Sequence, residues 1–83
     1  MIFYVYMLKS VNNKIIKTYV GYTNNLNLRL KKHNSGIGAK ATRGFRLKII
    51  YKKKFYDKRL AMSFEYKLKN DKKKRKNILI KSE

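Results

Sequence analysis

Phe3-Tyr4-Val5-Tyr6-Met7-Leu8-Lys9, taken with Ile15-Ile16-Lys17-Thr18-Tyr19-Val20-Gly21-Tyr22, decides the fold. The first stretch is β-branched and aromatic, and it is apolar on both faces that alternation would separate. That predicts a central strand covered on two sides. The second stretch predicts another strand over residues 15–22. Between them, Ser10-Val11-Asn12-Asn13-Lys14 has turn chemistry, because asparagine tolerates positive φ. The two strands are expected to form a β-hairpin.

Downstream, Thr23-Asn24-Asn25 offers N-capping side chains, and Leu26, Leu28 and Leu30 follow. Lys31 and Lys32 lie on the outer side, and Asn34-Ser35-Gly36 is a stop signal. A short helix over 25–34 is predicted. Residues 35–46 carry Gly36, Gly38 and Gly44 with Lys40, Thr42, Arg43 and Arg46, and read as a loop. That composition suits a phosphate-facing loop and a merely solvated connection equally well. Leu47 to Phe55 predicts a third strand, and Lys52-Lys53-Lys54 breaks its alternation, so its distal half is expected to project into solvent. Asp57 suits an N-cap for a helix over 58–70, with Leu60, Ala61, Phe64 and Leu68 as its apolar stripe. Residues 71–80 end in Ile78-Leu79-Ile80 and read as either a third short helix closing the core or a frayed tail. The order β-β-α-β-α-α defines an α+β domain with a small antiparallel sheet.

Composition bounds the possibilities. Eighty-three residues are expected to form one domain spanning 1–83, and with no cysteine neither a disulfide nor a thiolate metal site can staple it. The fold must rest on an apolar core, for which 43% hydrophobic residues suffice. No run is long and apolar enough for a transmembrane helix, and no signal-peptide pattern opens the chain. An intracellular, cytoplasmic protein is therefore expected, nucleoid-associated if bacterial. Lysine and arginine number 23 against 4 acids, a net charge of +19. Such a field draws polyanions, so nucleic acid is the expected partner, ahead of an anionic membrane surface. Codon bias towards A/T can inflate lysine, but it does not remove nearly every acid. The run Lys72-Lys73-Lys74-Arg75-Lys76 is, taken alone, more readily a solvated helix face than a backbone-binding patch.

A few residues have types that chemistry uses. Arg29 and His33 stand four apart, so a helix stacks them on one face. A lone histidine is more often structural than catalytic. An arginine one turn away changes that balance, because its fixed charged fork suits phosphate oxygens while histidine passes a proton near neutral pH. Glu65 is one of the 4 acids and sits beside the stripe of the second helix. Its desolvation calls for a cation, either a bound metal or a basic side chain in a salt bridge. Tyr6 and Tyr19 stand on the two hairpin strands. A phenol near arginine, histidine and a metal is expected to have a lowered pKa.

These residues in this order resemble the GIY-YIG nuclease superfamily, and in particular its small stand-alone members. Tyr4-Val5-Tyr6 resembles the first signature and Tyr19-Val20-Gly21 the second. Tyr22-Thr23, Leu28-Arg29-Leu30, His33-Asn34, Ala39-Lys40 with Thr42-Arg43, and Glu65 with Lys67-Leu68-Lys69 follow in family order. Tyr4 and Val5 stand where the name motif has glycine and isoleucine.

The resemblance implies a three-stranded antiparallel sheet flanked by helices and a metal-dependent phosphodiesterase. It implies Glu65 as the ligand of one Mg²⁺ (or Mn²⁺), with Tyr6 as general base, relayed through His33. Tyr19 would orient phosphate or water, and Arg29 would stabilise the transition state. These residues are expected to converge on one concave face, with Gly21 letting the chain pass close beside it. Lys40, Arg43, Lys72, Lys73 and Lys74 are candidates for contacting the nucleic-acid backbone. The polar residue that larger members carry near the C-terminus is Asn70 or Asn77. An endonuclease cutting DNA, branched or otherwise structured DNA included, is the leading reading. A protein partner could supply specificity. The alternative is a module that binds DNA or RNA without catalysis, and a ribosome-associated RNA-binding protein is weaker still.

Overall fold

Strand β1, Phe3–Ser10, is the middle strand of a three-stranded antiparallel sheet, between β2, Thr18–Thr23, and β3, Leu47–Phe55. The computed structural model describes residues 1–11, 14–36 and 43–82. The fold is α+β, with α1 at Leu26–Asn34, α2 at Lys58–Lys69 and α3 at Lys72–Lys81. No helix among the described residues is long and apolar enough to cross a membrane.

The double-sided apolar pattern of β1 is explained by two layers. Val5, Met7 and Val20 pack with Ala61 and Leu68 of α2, and Ile78 of α3 joins them. Tyr6 and Leu8 face the other way, onto Leu47, Tyr19 and the α1 residues Leu26 and Leu30. Val5, Tyr6, Met7 and Leu8 are each at most 1% exposed. A side chain of that size contributes about 1.5–3 kcal/mol when fully buried. A bulge between Met7 and Leu8 pairs Met7 with Tyr51 and Leu8 with Ile49. It lets the consecutive residues Ile50 and Tyr51 both pack into the α2–α3 core.

Three expectations change. Strand β2 begins at Thr18 rather than Ile15, and Ile15 and Ile16 are exposed. The cause is Ser10, whose hydroxyl accepts from the Lys17 amide at 2.9 Å and donates to the Ile15 carbonyl at 3.4 Å. These bonds close the turn ahead of the ladder. The distal half of β3 stays in the sheet, paired through Phe55 with Phe3, and only its lysine side chains leave it. Lys53 lies over the Phe64 ring at 4.8 Å, a cation–π contact. Leu60 is not in the stripe of α2 but 59% exposed. At about 100° per residue it turns away from the narrow face of Ala61, Phe64 and Leu68 that one helix can lay on a sheet. The C-terminal segment is the third helix that the element order predicts, with the Asp71 carboxylate accepting from the Lys74 amide at 3.0 Å. Asp57 caps α2 in the same way, accepting from Arg59 at 2.7 Å, and Asn70 is the C-cap rather than the last helical residue.

Candidate active site

The hairpin register does the first part of the positioning. Tyr6 pairs with Gly21 and Leu8 with Tyr19, so the two phenols share the face that α1 covers. The helix start is fixed by local bonds. Thr23 Oγ1 accepts from the Asn25 amide at 3.1 Å, and Asn25 Oδ1 accepts from the Leu28 amide at 3.1 Å. From that start, one helical turn separates Arg29 from His33 over the same face.

Four of the expected site residues meet there. The Tyr6 phenol oxygen lies 3.1 Å from His33 Nε2, and Arg29 Nε–H donates to it at 3.4 Å. The Tyr19 ring lies 4.9 Å from the His33 ring and 6.4 Å from that of Tyr6, centroid to centroid. Tyr6 and His33 are buried, whereas Tyr19 and Arg29 are partly exposed. Gly21 leaves space for this packing. A Cβ there would stand 2.6 Å from the Tyr6 phenol oxygen and 3.1 Å from Tyr19 Cε2.

The electrostatics correct one expectation. Burial raises the pKa of Tyr6 above its ordinary 10.0. The hydrogen bond and charge of Arg29 pull the other way without prevailing, and Tyr19 and Glu65 add to the rise. Tyr6 is therefore a phenol at neutral pH, not a phenolate. His33 is held below its ordinary 6.5, first by burial and then by the Arg29 charge, so it is a neutral imidazole there. The hydrogen bond to Tyr6 raises Arg29, which stays a cation.

Glu65 comes from the other layer. It is on α2, which packs against the opposite face of the sheet, and its carboxylate pairs with Lys69 at 3.5 Å. Its place around the helix matters. Phe64, on one flank of the α2 stripe, packs on Tyr51 and Phe55 of β3. Glu65 follows Phe64 in α2, about 100° further round the helix. Its side chain is 17% exposed, and its charge acts on Tyr6. Among the described residues, no three His, Cys, Asp or Glu side chains cluster as a metal cage. A single half-buried carboxylate in a strongly positive field fits a Mg²⁺ ion that keeps most of its water, and does not fit an ion needing several protein ligands.

The remaining candidates divide. Asn70 donates from its side chain to the Tyr66 carbonyl at 2.8 Å, and Asn77 lines a cavity with Ile50 and Tyr51 of β3. Arg43 is exposed beside Gly36, just past the end of α1, and Lys40 lies outside the described residues. Lys72 borders Met7 and Thr18, Lys73 is exposed, and Lys74 lies over the Phe64 ring at 4.8 Å. Asn34 has a role that sequence reasoning missed when it was read only as a helix stop. Its side chain donates to the Leu47 carbonyl at 3.2 Å and accepts from the Leu47 amide at 2.7 Å. This two-way clamp ties the residue after His33 to the first residue of β3. An asparagine beside a histidine was visible in the sequence, but its partner across the loop was not.

Two phenols, a guanidinium and a neutral imidazole thus meet on one face of a small antiparallel sheet. The GIY-YIG catalytic domain profile matches residues 2–77, and the chain belongs to that nuclease family. A UPF0213 protein of Clostridium perfringens is 45% identical over 80 residues, covering 95% of this chain and 83% of the relative. The UPF0213 protein YazA of Bacillus subtilis is 40% identical over 78 residues, covering 93% and 76%. The solution NMR structure of a UPF0213 protein from Bacillus halodurans superposes with a TM-score of 0.52 at 38% identity, covering 98% of this chain and 84% of that one.

Proposed function

We propose that this chain is a metal-dependent endonuclease that hydrolyses phosphodiester bonds in DNA, branched or otherwise structured DNA included. The observation that carries the reading is the Tyr6 phenol held between Arg29 and His33. An oxygen that accepts from a fixed cation and faces a neutral imidazole can move a proton without ever becoming a free phenolate. In this reading the Nδ1–H tautomer of His33 leaves Nε2 as acceptor for the Tyr6 proton. The attacking water gives its proton to the Tyr6 oxygen as Tyr6 gives its own to His33.

Arg29 keeps guanidinium N–H donors beyond the one used on Tyr6, and they stabilise charge on the phosphorane-like transition state. Help of that kind is worth about 3–4 kcal/mol per donor. Tyr19 orients the phosphate from the same face. Glu65 would hold Mg²⁺ or Mn²⁺, which when bound supplies positive charge to the phosphate and leaving oxygens. Arg43, Lys40 and the basic residues of α3 are the proposed backbone contacts. Specificity for a DNA structure would come from shape or from a protein partner.

The test is a cleavage assay with Mg²⁺ or Mn²⁺ on linear, nicked, flapped and four-way DNAs, comparing wild type with Glu65→Ala. Wild type is expected to cut at least one substrate. Glu65→Ala should lose cleavage while binding equally or more tightly, because a charge facing phosphate is gone. The variant should fold, since its ion pair is with a half-exposed lysine and is worth little, and alanine favours a helix. If neither protein cuts and both bind alike, the chain is a nucleic-acid-binding module instead.

A further inference from the structure

On the face of the sheet away from His33, α3 lays Lys72, Arg75, Lys76 and Leu79 along one side, at i, i+3, i+4 and i+7. With Met7 and Thr18 they line a cavity of about 250 Å³. Arg75 Nε is buried and has no hydrogen-bond partner among the described residues. Proteins rarely leave a buried guanidinium N–H unsatisfied, because its lost hydration is not returned. The described acids are committed elsewhere. Asp57 and Asp71 cap helices, and Glu65 pairs with Lys69. Three cations and a threonine thus border one cavity, and no described carboxylate answers them.

We propose that this cavity binds a phosphate group of a polynucleotide, as a second contact point beyond the catalytic cleft. The proposal rests on the nucleic-acid reading above and extends its footprint. Location favours a polynucleotide over a free anion. Thr18 and Tyr19 are consecutive on β2, so their side chains go to opposite faces of the edge strand. Gly21, beside the Tyr6 phenol, is three residues on, about 10 Å at the rise of a strand. That span is short enough for neighbouring phosphates of one polynucleotide strand to reach both ends. A strand lying along the β2 edge can offer one phosphate to Arg29 and another to Arg75. The run of basic residues is thereby divided. Lys72, Arg75 and Lys76 hold phosphate, while Lys74 is turned onto Phe64.

The experiment is done in EDTA, so no readout depends on cleavage. In the wild-type protein, the Arg75 Nε–H and Thr18 amide NMR signals are followed during titration with inorganic phosphate and, separately, with a short duplex oligonucleotide. Both ligands are expected to move these signals saturably and more than the amides of Lys52 and Lys53. Arg75→Gln is expected to weaken oligonucleotide binding about tenfold, as for loss of a charge-assisted hydrogen bond. Lys58→Gln, which removes one charge from an exposed site outside this cavity, should cost about twofold or less. Diffuse shifts over the whole basic surface, or equal losses for the two variants, would overturn the site. Saturation by inorganic phosphate without a response to the oligonucleotide would make it a small-anion pocket and overturn its assignment to a polynucleotide. A protein that binds in this way but never cuts leaves the inference standing and removes only the nuclease reading.

Discussion

The Tyr6 phenol occupies the space that a side chain at Gly21 would need: a Cβ on Gly21 would lie 2.6 Å from the phenol oxygen and 2.8 Å from Cζ. The two residues are direct partners across β1 and β2, so the contact is set by register. Tyr6 cannot move aside freely. Its ring is 1% exposed and its oxygen is bonded to His33 and Arg29.

Gly21→Ala is therefore a test of the site more than of the fold. Alanine suits the strand backbone, and the clash falls on the one side chain that carries the proposed proton relay. We expect a stability loss of about 1–3 kcal/mol, the usual cost of overpacking a tight site. Cleavage should fall by about a hundredfold or more, because a displaced Tyr6 loses its contacts with His33 and Arg29 together. Denaturant unfolding with single-turnover cleavage checks both. A variant that is destabilised but cuts normally would remove Tyr6 from the mechanism.

The pH dependence follows from the two buried groups. His33 has a folded pKa below 6.5, so between that value and 6.5 the unfolded chain binds more protons than the folded one. Its contribution to stability is complete above pH 6.5 and is lost as pH falls towards the folded pKa. Tyr6 is raised, so its contribution is complete below pH 10.0 and is lost as pH rises through the folded pKa. Melting temperature should therefore have an acid limb that His33→Gln flattens. Tyr6→Phe should leave that limb in place. An acid limb unchanged in His33→Gln would show that other groups govern it.

Asn34→Ala should cost about 1–3 kcal/mol, because it removes both bonds of the clamp on Leu47 and leaves a strand N–H and C=O to find water. Its effect on chemistry should exceed its effect on binding. The clamp fixes the end of the helix that presents His33, while the basic surface is untouched. Cleavage at saturating DNA should drop about tenfold with affinity within a factor of two. Equal losses in both would make Asn34 a general stabiliser of the fold.

The sequence by itself determined the element order, the third strand to the residue, and the capping of α2 by Asp57. Those features depend on local chemistry: alternation, side-chain caps and glycine breaks, all of which act within a few residues. It also placed Arg29 and His33 on one face, because a helix period needs no partner to be read. Family motifs supplied Tyr6, Tyr19 and Glu65 as candidates. Only tertiary structure decided what these residues are to one another. Tyr6 was expected to have a lowered pKa from its charged neighbours, and it is raised because burial between two layers outweighs Arg29. Glu65 was expected on the same face as the phenols. It is instead on α2, in the other layer, from which its charge still acts on Tyr6. Strand β2 was shortened by the Ser10 hydroxyl, and Asn34 found Leu47 across a loop. Desolvation, cross-strand packing and side-chain bonds between distant segments depend on which surfaces meet, and no local pattern encodes that meeting.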